Sequence, residues 1–132
     1  MFAEWTECPV MPIVDVTLVL PQETPVPKGV ASSLATQIGR ALKAEPGRVW
    51  VRLHVLDRDH YAENEITIGE DELPVFVTML HARPPTGENL AVEVAALVHA
   101  VASCLNRRTE NVHIEYAPAG AGRIAFGGRL VQ

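Results

Sequence analysis

One grammar of strand, proline-rich loop, helix and strand is written twice along this chain, about 62 residues apart. In the first copy, Pro12 to Leu20 sets Val14, Val16, Leu18 and Leu20 against Asp15 and Thr17, which reads as a strand with one apolar face. The loop PQETPVP that follows is too rich in proline for regular structure. Val30, Leu34, Ile38, Ala41 and Leu42 then recur at helical spacing, predicting a helix from about Lys28 to Lys43 that Glu45-Pro46-Gly47 ends. VWVRLHV returns to alternation, with Val49, Val51, Leu53 and Val55 opposed to Trp50, Arg52 and His54.

The second copy keeps the order. PVFVTMLHA from Pro74 is a strand and RPPTGEN a loop; a helix follows with the stripe Leu90, Val94, Leu97, Val101 and Leu105. Thr86 stands where an N-cap is expected, with Glu88 in the first turn, where the helix dipole favours an acid. VHIEY closes the unit, with Val112, Ile114 and Tyr116 opposite His113 and Glu115. Right-handed β-α-β crossovers put both helices on the same side of a shared sheet. The expected fold is therefore a two-layer α/β (α+β) sandwich, a four-stranded mixed sheet carrying two helices on one face. A single domain is expected over residues 11–132, with half-repeats of about 12–57 and 74–117, after an extension over residues 1–10.

The same alternation sends Asp15, Thr17, Arg52, His54, Thr78, His113 and Glu115 to the opposite sheet face, mixed with Trp50 and Phe76. Such a face is either wet, or meets other subunits, or lines a channel. A formal net charge of -5, with basic residues scattered, offers no field for a phosphate backbone, so no nucleic-acid partner is expected. Charges break the apolar runs before the roughly 20 residues a membrane span needs, and MFAEWTECPV lacks a basic leader; no membrane is expected and a cytoplasmic location is.

Little conventional site chemistry is visible. The five histidines share no metal-ligand spacing, so no metal site is expected, and Cys8 and Cys104 are too far apart for a zinc or redox motif. Cys104 falls on the apolar stripe of the second helix, and Cys8 reads as an exposed thiol. AGAGRIAFGGR lacks the strand-loop-helix setting of a phosphate loop and reads as a tail or hairpin. There is no Gly-x-Ser-x-Gly elbow.

What remains is Met11-Pro12 at the start of the first strand. MPIVDVTLVLP, a helix, EPGRVWVRLHV, VFVTMLHARPP, a second helix and ENVHIEY before a Gly-rich tail together resemble the tautomerase superfamily. The order and spacing are nearest to macrophage migration inhibitory factor, malonate semialdehyde decarboxylase and the cis-chloroacrylic acid dehalogenases. The resemblance covers Pro12 to about Gly128. It implies a homotrimer whose sheets enclose a barrel, cofactor-free proton transfer on a small carboxylic acid, and an N-terminal proline whose ring nitrogen is the acid-base group. A free secondary amine tuned by burial and nearby cations titrates where such catalysis works best.

The matching residue is Pro12, but ten residues precede Met11, and while they stay attached the Pro12 nitrogen is a tertiary amide without basicity. An extension carrying Phe2 and Trp5 is expected to pack across the pocket or against a neighbouring subunit, and Pro9 is internal too. By the resemblance Arg83 is the carboxylate-binding arginine, with Pro85 where a second arginine stands in decarboxylase-like members. The pocket lysine falls on Ala44, with Lys43 as its stand-in one residue away or a solvated helix-end cation. His113 and Glu115 align with pocket-lining residues and form either a proton-handling pair or a structural pair at a subunit interface. Arg123 and Phe126 lie where a C-terminal segment closes a neighbouring pocket. Three readings follow: a tautomerase-like isomerase using Pro12, a trimeric binding or structural protein that lost the amine, or an enzyme whose base is His113.

Overall fold

The computed structural model describes residues 11–132, so the expectations for Phe2, Trp5, Cys8 and Pro9 lie outside the described residues. Four strands, β1 (Ile13–Leu20), β2 (Trp50–Asp57), β3 (Val75–Leu80) and β4 (Val112–Tyr116), form one sheet in the order β2-β1-β3-β4. β1 is parallel to β2 and β3 to β4, while β1 and β3 run antiparallel down the middle. Each parallel pair is one β-α-β unit, which needs a helical crossover. The helices are α1 (Val30–Leu42) and α2 (Gly87–Leu105).

Period-two alternation sorts the strands as the sequence requires. Val14, Val16 and Leu18 of β1, Val75, Val77 and Met79 of β3, and Val112 of β4 are buried in one cluster with Leu34, Ile38, Leu42, Leu97, Val101 and Ala102 of the helices. Both helices therefore cover the same sheet face. Ile38 is fully buried at the centre of this layer. Ile38→Ala is expected to cost about 2–5 kcal/mol, because the surrounding helices and strands cannot collapse into the void; a chemical denaturation midpoint that does not move would contradict that placement.

α1 spans the apolar stripe from Val30 to Leu42, within the expected range of about Lys28 to Lys43. Gly29 (φ 84°) and Lys43 (φ 56°) both adopt the left-handed conformation, so the helix stops at Leu42, before Glu45-Pro46-Gly47 is reached. Thr86 does occupy the N-cap of α2, but its side chain makes no capping hydrogen bond. By length and composition alone α2 is long and apolar enough to cross a bilayer, though Glu88 and Glu93 interrupt it. Here it lies on the sheet, with Leu97, Val101 and Ala102 buried against it.

Among the described residues, other segments reach the opposite sheet face at its two ends. Towards one end, Tyr61 meets Phe76 at 5.8 Å between ring centroids and Leu73 is buried. Arg107 donates to the carbonyls of Leu73 and Val19 at 2.7 and 2.9 Å, fastening the end of α2 to that region. At the other end the Gly-rich tail forms a small hairpin, β5 (Ala125–Phe126) with β6 (Arg129–Leu130), one of the two forms the sequence allowed. Ile124 and Val131 from this strap pack with Ala82, Ile13 and Leu80. Gly120 is required at the strap's entry, since a Cβ there would strike the Ile124 side chain and lie 3.2 Å from the His81 carbonyl oxygen.

Candidate active site

The starts of β1 and β2 and the ends of β3 and β4 meet at one end of the sheet. Pro12 is buried there, and its carbonyl accepts the Trp50 N–H at 3.2 Å. Met11, joined to its nitrogen, is only 1% exposed. Because Ile13 is paired with Leu80, the residue across the antiparallel pair from Pro12 is His81. The two therefore leave adjacent strands on the same, helix-covered side.

His81 is 2% exposed, and it anchors a buried polar network. Its Nε2 lies 2.9 Å from Glu93 Oε2 on α2, and the Tyr116 hydroxyl at the end of β4 donates to the same oxygen at 2.6 Å. The His81 and Tyr116 rings lie nearly parallel, 12° apart with centroids at 6.1 Å. Burial alone would push the Glu93 carboxyl up, but the hydrogen bonds from His81 and Tyr116 and the attraction of His81 outweigh it and hold Glu93 below its ordinary 4.5. Burial and then the Glu93 carboxylate push the Tyr116 phenol up. An ionised carboxylate only accepts, so Nε2 carries the hydrogen. Among the described residues, the buried His81 Nδ1 has no hydrogen-bond partner.

Arg83, three residues beyond the end of β3, is exposed, and its guanidinium donates to the main-chain carbonyl of Gln132. The strap is held beside it by Gly120 N–H to His81 O at 2.8 Å and Ala121 N–H to Ala82 O at 3.0 Å. Phe126 stacks on Trp50 at 4.4 Å, and Arg123 is exposed on the strap. Pro12, Arg83 and Phe126 thus share one end of the molecule. Lys43 does not join them as a pocket cation: it is exposed at the left-handed C-cap of α1. A cavity of about 350 Å³ beside it is lined by Ala44, Val49 and Gly39, and its cation is Arg40.

His113 and Glu115 lie on the other sheet face, with no hydrogen bond between their side chains among the described residues. Alternate residues on a strand are about 6.5–7 Å apart, and each is engaged sideways instead. The Glu115 carboxylate accepts the Thr78 hydroxyl at 3.1 Å, and the His113 ring leans on Phe76 at 5.2 Å. In the same row as Glu115 and Thr78, Asp15 is gripped by Arg52 through two hydrogen bonds of 2.6 and 2.8 Å, with His54 at 3.4 Å. The Arg52 hydrogen bond is the main reason the Asp15 carboxyl sits below its usual range. Within one chain this polar face is separated from Pro12 by the sheet itself.

The sequence reading did not single out His81, Glu93, Tyr116 or Arg40 for chemistry. A signal was present for the first three: each is a polar residue at a core-facing register position, His81 after Val75, Val77 and Met79, Glu93 between Leu90 and Leu97, and Tyr116 after Val112 and Ile114. Cys104, by contrast, is half-buried, and burial raises its thiol, as an apolar-stripe cysteine should behave. Among the described residues no cluster of His, Cys, Asp and Glu forms a metal site.

No protein-family model matches the sequence, and no curated protein matches it. Solved structures do match the fold. A fused 4-OT solved as a symmetric trimer superposes with a TM-score of 0.65 at 17% identity, over 90% of this chain and 94% of that one. Macrophage migration inhibitory factor from Oncomelania hupensis gives 0.65 at 20% identity, over 92% and 83%. FG41 malonate semialdehyde decarboxylase inhibited by 3-bromopropiolate gives 0.64 at 15% identity, over 87% and 88%. With two β-α-β units on one mixed sheet, strand order β2-β1-β3-β4, and these likenesses across nearly its whole length, the chain has the tautomerase-superfamily fold.

Proposed function

We propose that this protein is a homotrimeric, cofactor-free proton-transfer enzyme acting on a small 2-keto or unsaturated carboxylic acid, with keto-enol isomerisation as its reaction. The observation that carries the reading is the position of Pro12, buried immediately before β1 at the end of the sheet that Arg83 and the aromatic pair Trp50 and Phe126 share. In a chain beginning at Pro12 the ring nitrogen is a secondary amine set in a partly apolar site, which suits it to take a proton from a carbon next to a carbonyl. Arg83 supplies the substrate's carboxylate with a planar, bidentate partner. A carboxylate makes shorter and stronger hydrogen bonds to a guanidinium than the neutral Gln132 carbonyl does, so substrate displaces that contact. The polar face bearing Arg52, Asp15, Thr78, Glu115 and His113 is read as the surface that meets the other subunits, and the fused 4-OT trimer is the precedent for that assembly.

The test is to follow ketonisation of an arylpyruvate enol by a chain beginning at Pro12, alongside sedimentation. Acceleration over buffer, by a species three times the mass of that shortened chain, is the expected result. A monomer would remove the assembly. A trimer without activity would support the second reading, a binding or structural protein. The specific observation in favour of that second reading is that Met11, itself buried, occupies the Pro12 nitrogen.

A further inference from the structure

We propose that His81 is a second general base, with Nδ1 as its reactive atom and Glu93 and Tyr116 as the residues that position it, and that it serves the chain in which Met11 remains joined to Pro12. The inference rests on the reading of this end of the sheet as a proton-transfer site. It goes beyond that reading by placing the base on a residue other than the proline.

The argument starts from hydrogen-bond inventory. A neutral imidazole has one donor and one acceptor nitrogen, and whichever nitrogen is hydrogen-bonded to a carboxylate must be the donor. Glu93 Oε2 stands 2.9 Å from Nε2 and receives the Tyr116 hydroxyl as well, so its position is fixed from two sides. That leaves Nδ1 as the nitrogen with the lone pair, and it is buried with no hydrogen-bond partner among the described residues. A native fold rarely leaves a buried polar side-chain atom unsatisfied without a purpose. A carboxylate that fixes the tautomer and orientation of an imidazole whose other nitrogen is free is the arrangement by which a histidine takes a proton in acyl-transfer enzymes, and it is recognised by geometry rather than by sequence order. The location agrees, because His81 stands across the β1–β3 pair from Pro12.

The proton balance closes without a co-reactant. The C–H bond next to the substrate carbonyl breaks, its electron pair becomes the enolate double bond, and the proton moves to Nδ1. The imidazolium that results is stabilised by the ionised Glu93, and it returns the proton to the other terminus of the delocalised system. The strap crosses the His81 main chain through the Gly120 contact at 2.8 Å, and Arg83 ties the strap's end through Gln132. Substrate that draws Arg83 away from Gln132 therefore frees the end of the strap.

The test uses the 132-residue chain, in which the acylated proline nitrogen cannot act, and the arylpyruvate enol as substrate. The expected result is measurable ketonisation that falls about 100-fold or more in His81→Asn, in line with loss of a general base. The exposed His99→Asn chain is the control and should keep the rate. Glu93→Gln should lower kcat and leave KM in place, because it misorients the base without touching substrate. Nitrogen-15 spectra of the folded 132-residue chain give a second readout independent of turnover: His81 should show a protonated Nε2 and an unprotonated Nδ1. Full activity in His81→Asn, no activity in the parent chain, or an Nδ1-protonated neutral tautomer would each overturn the proposal. If the parent chain is inactive while a chain beginning at Pro12 is active, His81 is excluded and the proline reading stands. If both are inactive, both readings fail.

Discussion

In a chain that begins at Pro12, Pro12→Ala is expected to reduce enol ketonisation by about 100-fold or more, the scale of a lost general base. Alanine would still end in an amine, so the effect does not come from deleting a nitrogen. It comes from exchanging a ring-fixed secondary amine, whose lone pair direction is set by the proline and by its burial at the start of β1, for a primary amine on a freely rotating bond. Restoring Met11 should abolish whatever part of the rate depends on that nitrogen, because an amide has no basic lone pair. Steady-state kinetics of the three chains separates these cases. If Pro12→Ala is as fast as its parent, the nitrogen of residue 12 is not the base.

Glu93→Ala is expected to lower stability by about 2–4 kcal/mol, since it strands the Nε2–H of a 2%-exposed histidine and the hydroxyl of Tyr116 with no acceptor. Tyr116→Phe in the Glu93→Ala background removes one of the stranded donors, so the double variant should be less damaged than the sum of the two single changes. The same network sets a pH dependence. The folded-state carboxyl of Glu93 is held below its ordinary value, so its contribution to stability is fully present above pH 4.5 and fades as the pH falls through the depressed folded value. Thermal melts of the parent and Glu93→Gln should differ by a constant amount near neutrality and converge in acid. Parallel curves throughout would show that Glu93 carries no such linkage.

Most of the architecture was legible in the amino-acid order because the hydrophobic period encodes it directly. Val14, Val16 and Leu18 against Asp15 and Thr17, or Val75, Val77 and Met79 against Phe76 and Thr78, leave a strand one way to lie on a core, and the helical stripes supply the other half of that core. Duplication of the unit then dictates two crossovers and hence the side on which both helices sit. The boundaries were less legible. Lys43 takes a left-handed conformation that its residue type does not announce, and it caps α1 ahead of Glu45-Pro46-Gly47.

The site was legible only where a residue's position on the chain fixed its role. Pro12 and Arg83 fall at strand ends, and the fold had to bring those ends together. His113 and Glu115 looked like a pair because they alternate on one strand face, but which side chain answers each was decided by Thr78 and Phe76 on the neighbouring strand. His81 and Tyr116 are 35 residues apart with Glu93 between them, and nothing local relates the three. Only packing α2 against the ends of β3 and β4 brings a carboxylate within 2.9 Å of an imidazole and 2.6 Å of a phenol, and only burial turns that proximity into a fixed tautomer with an unanswered nitrogen. Periodicity specifies which face a residue takes; its partner across that face depends on register and helix placement, which are properties of the assembled layers.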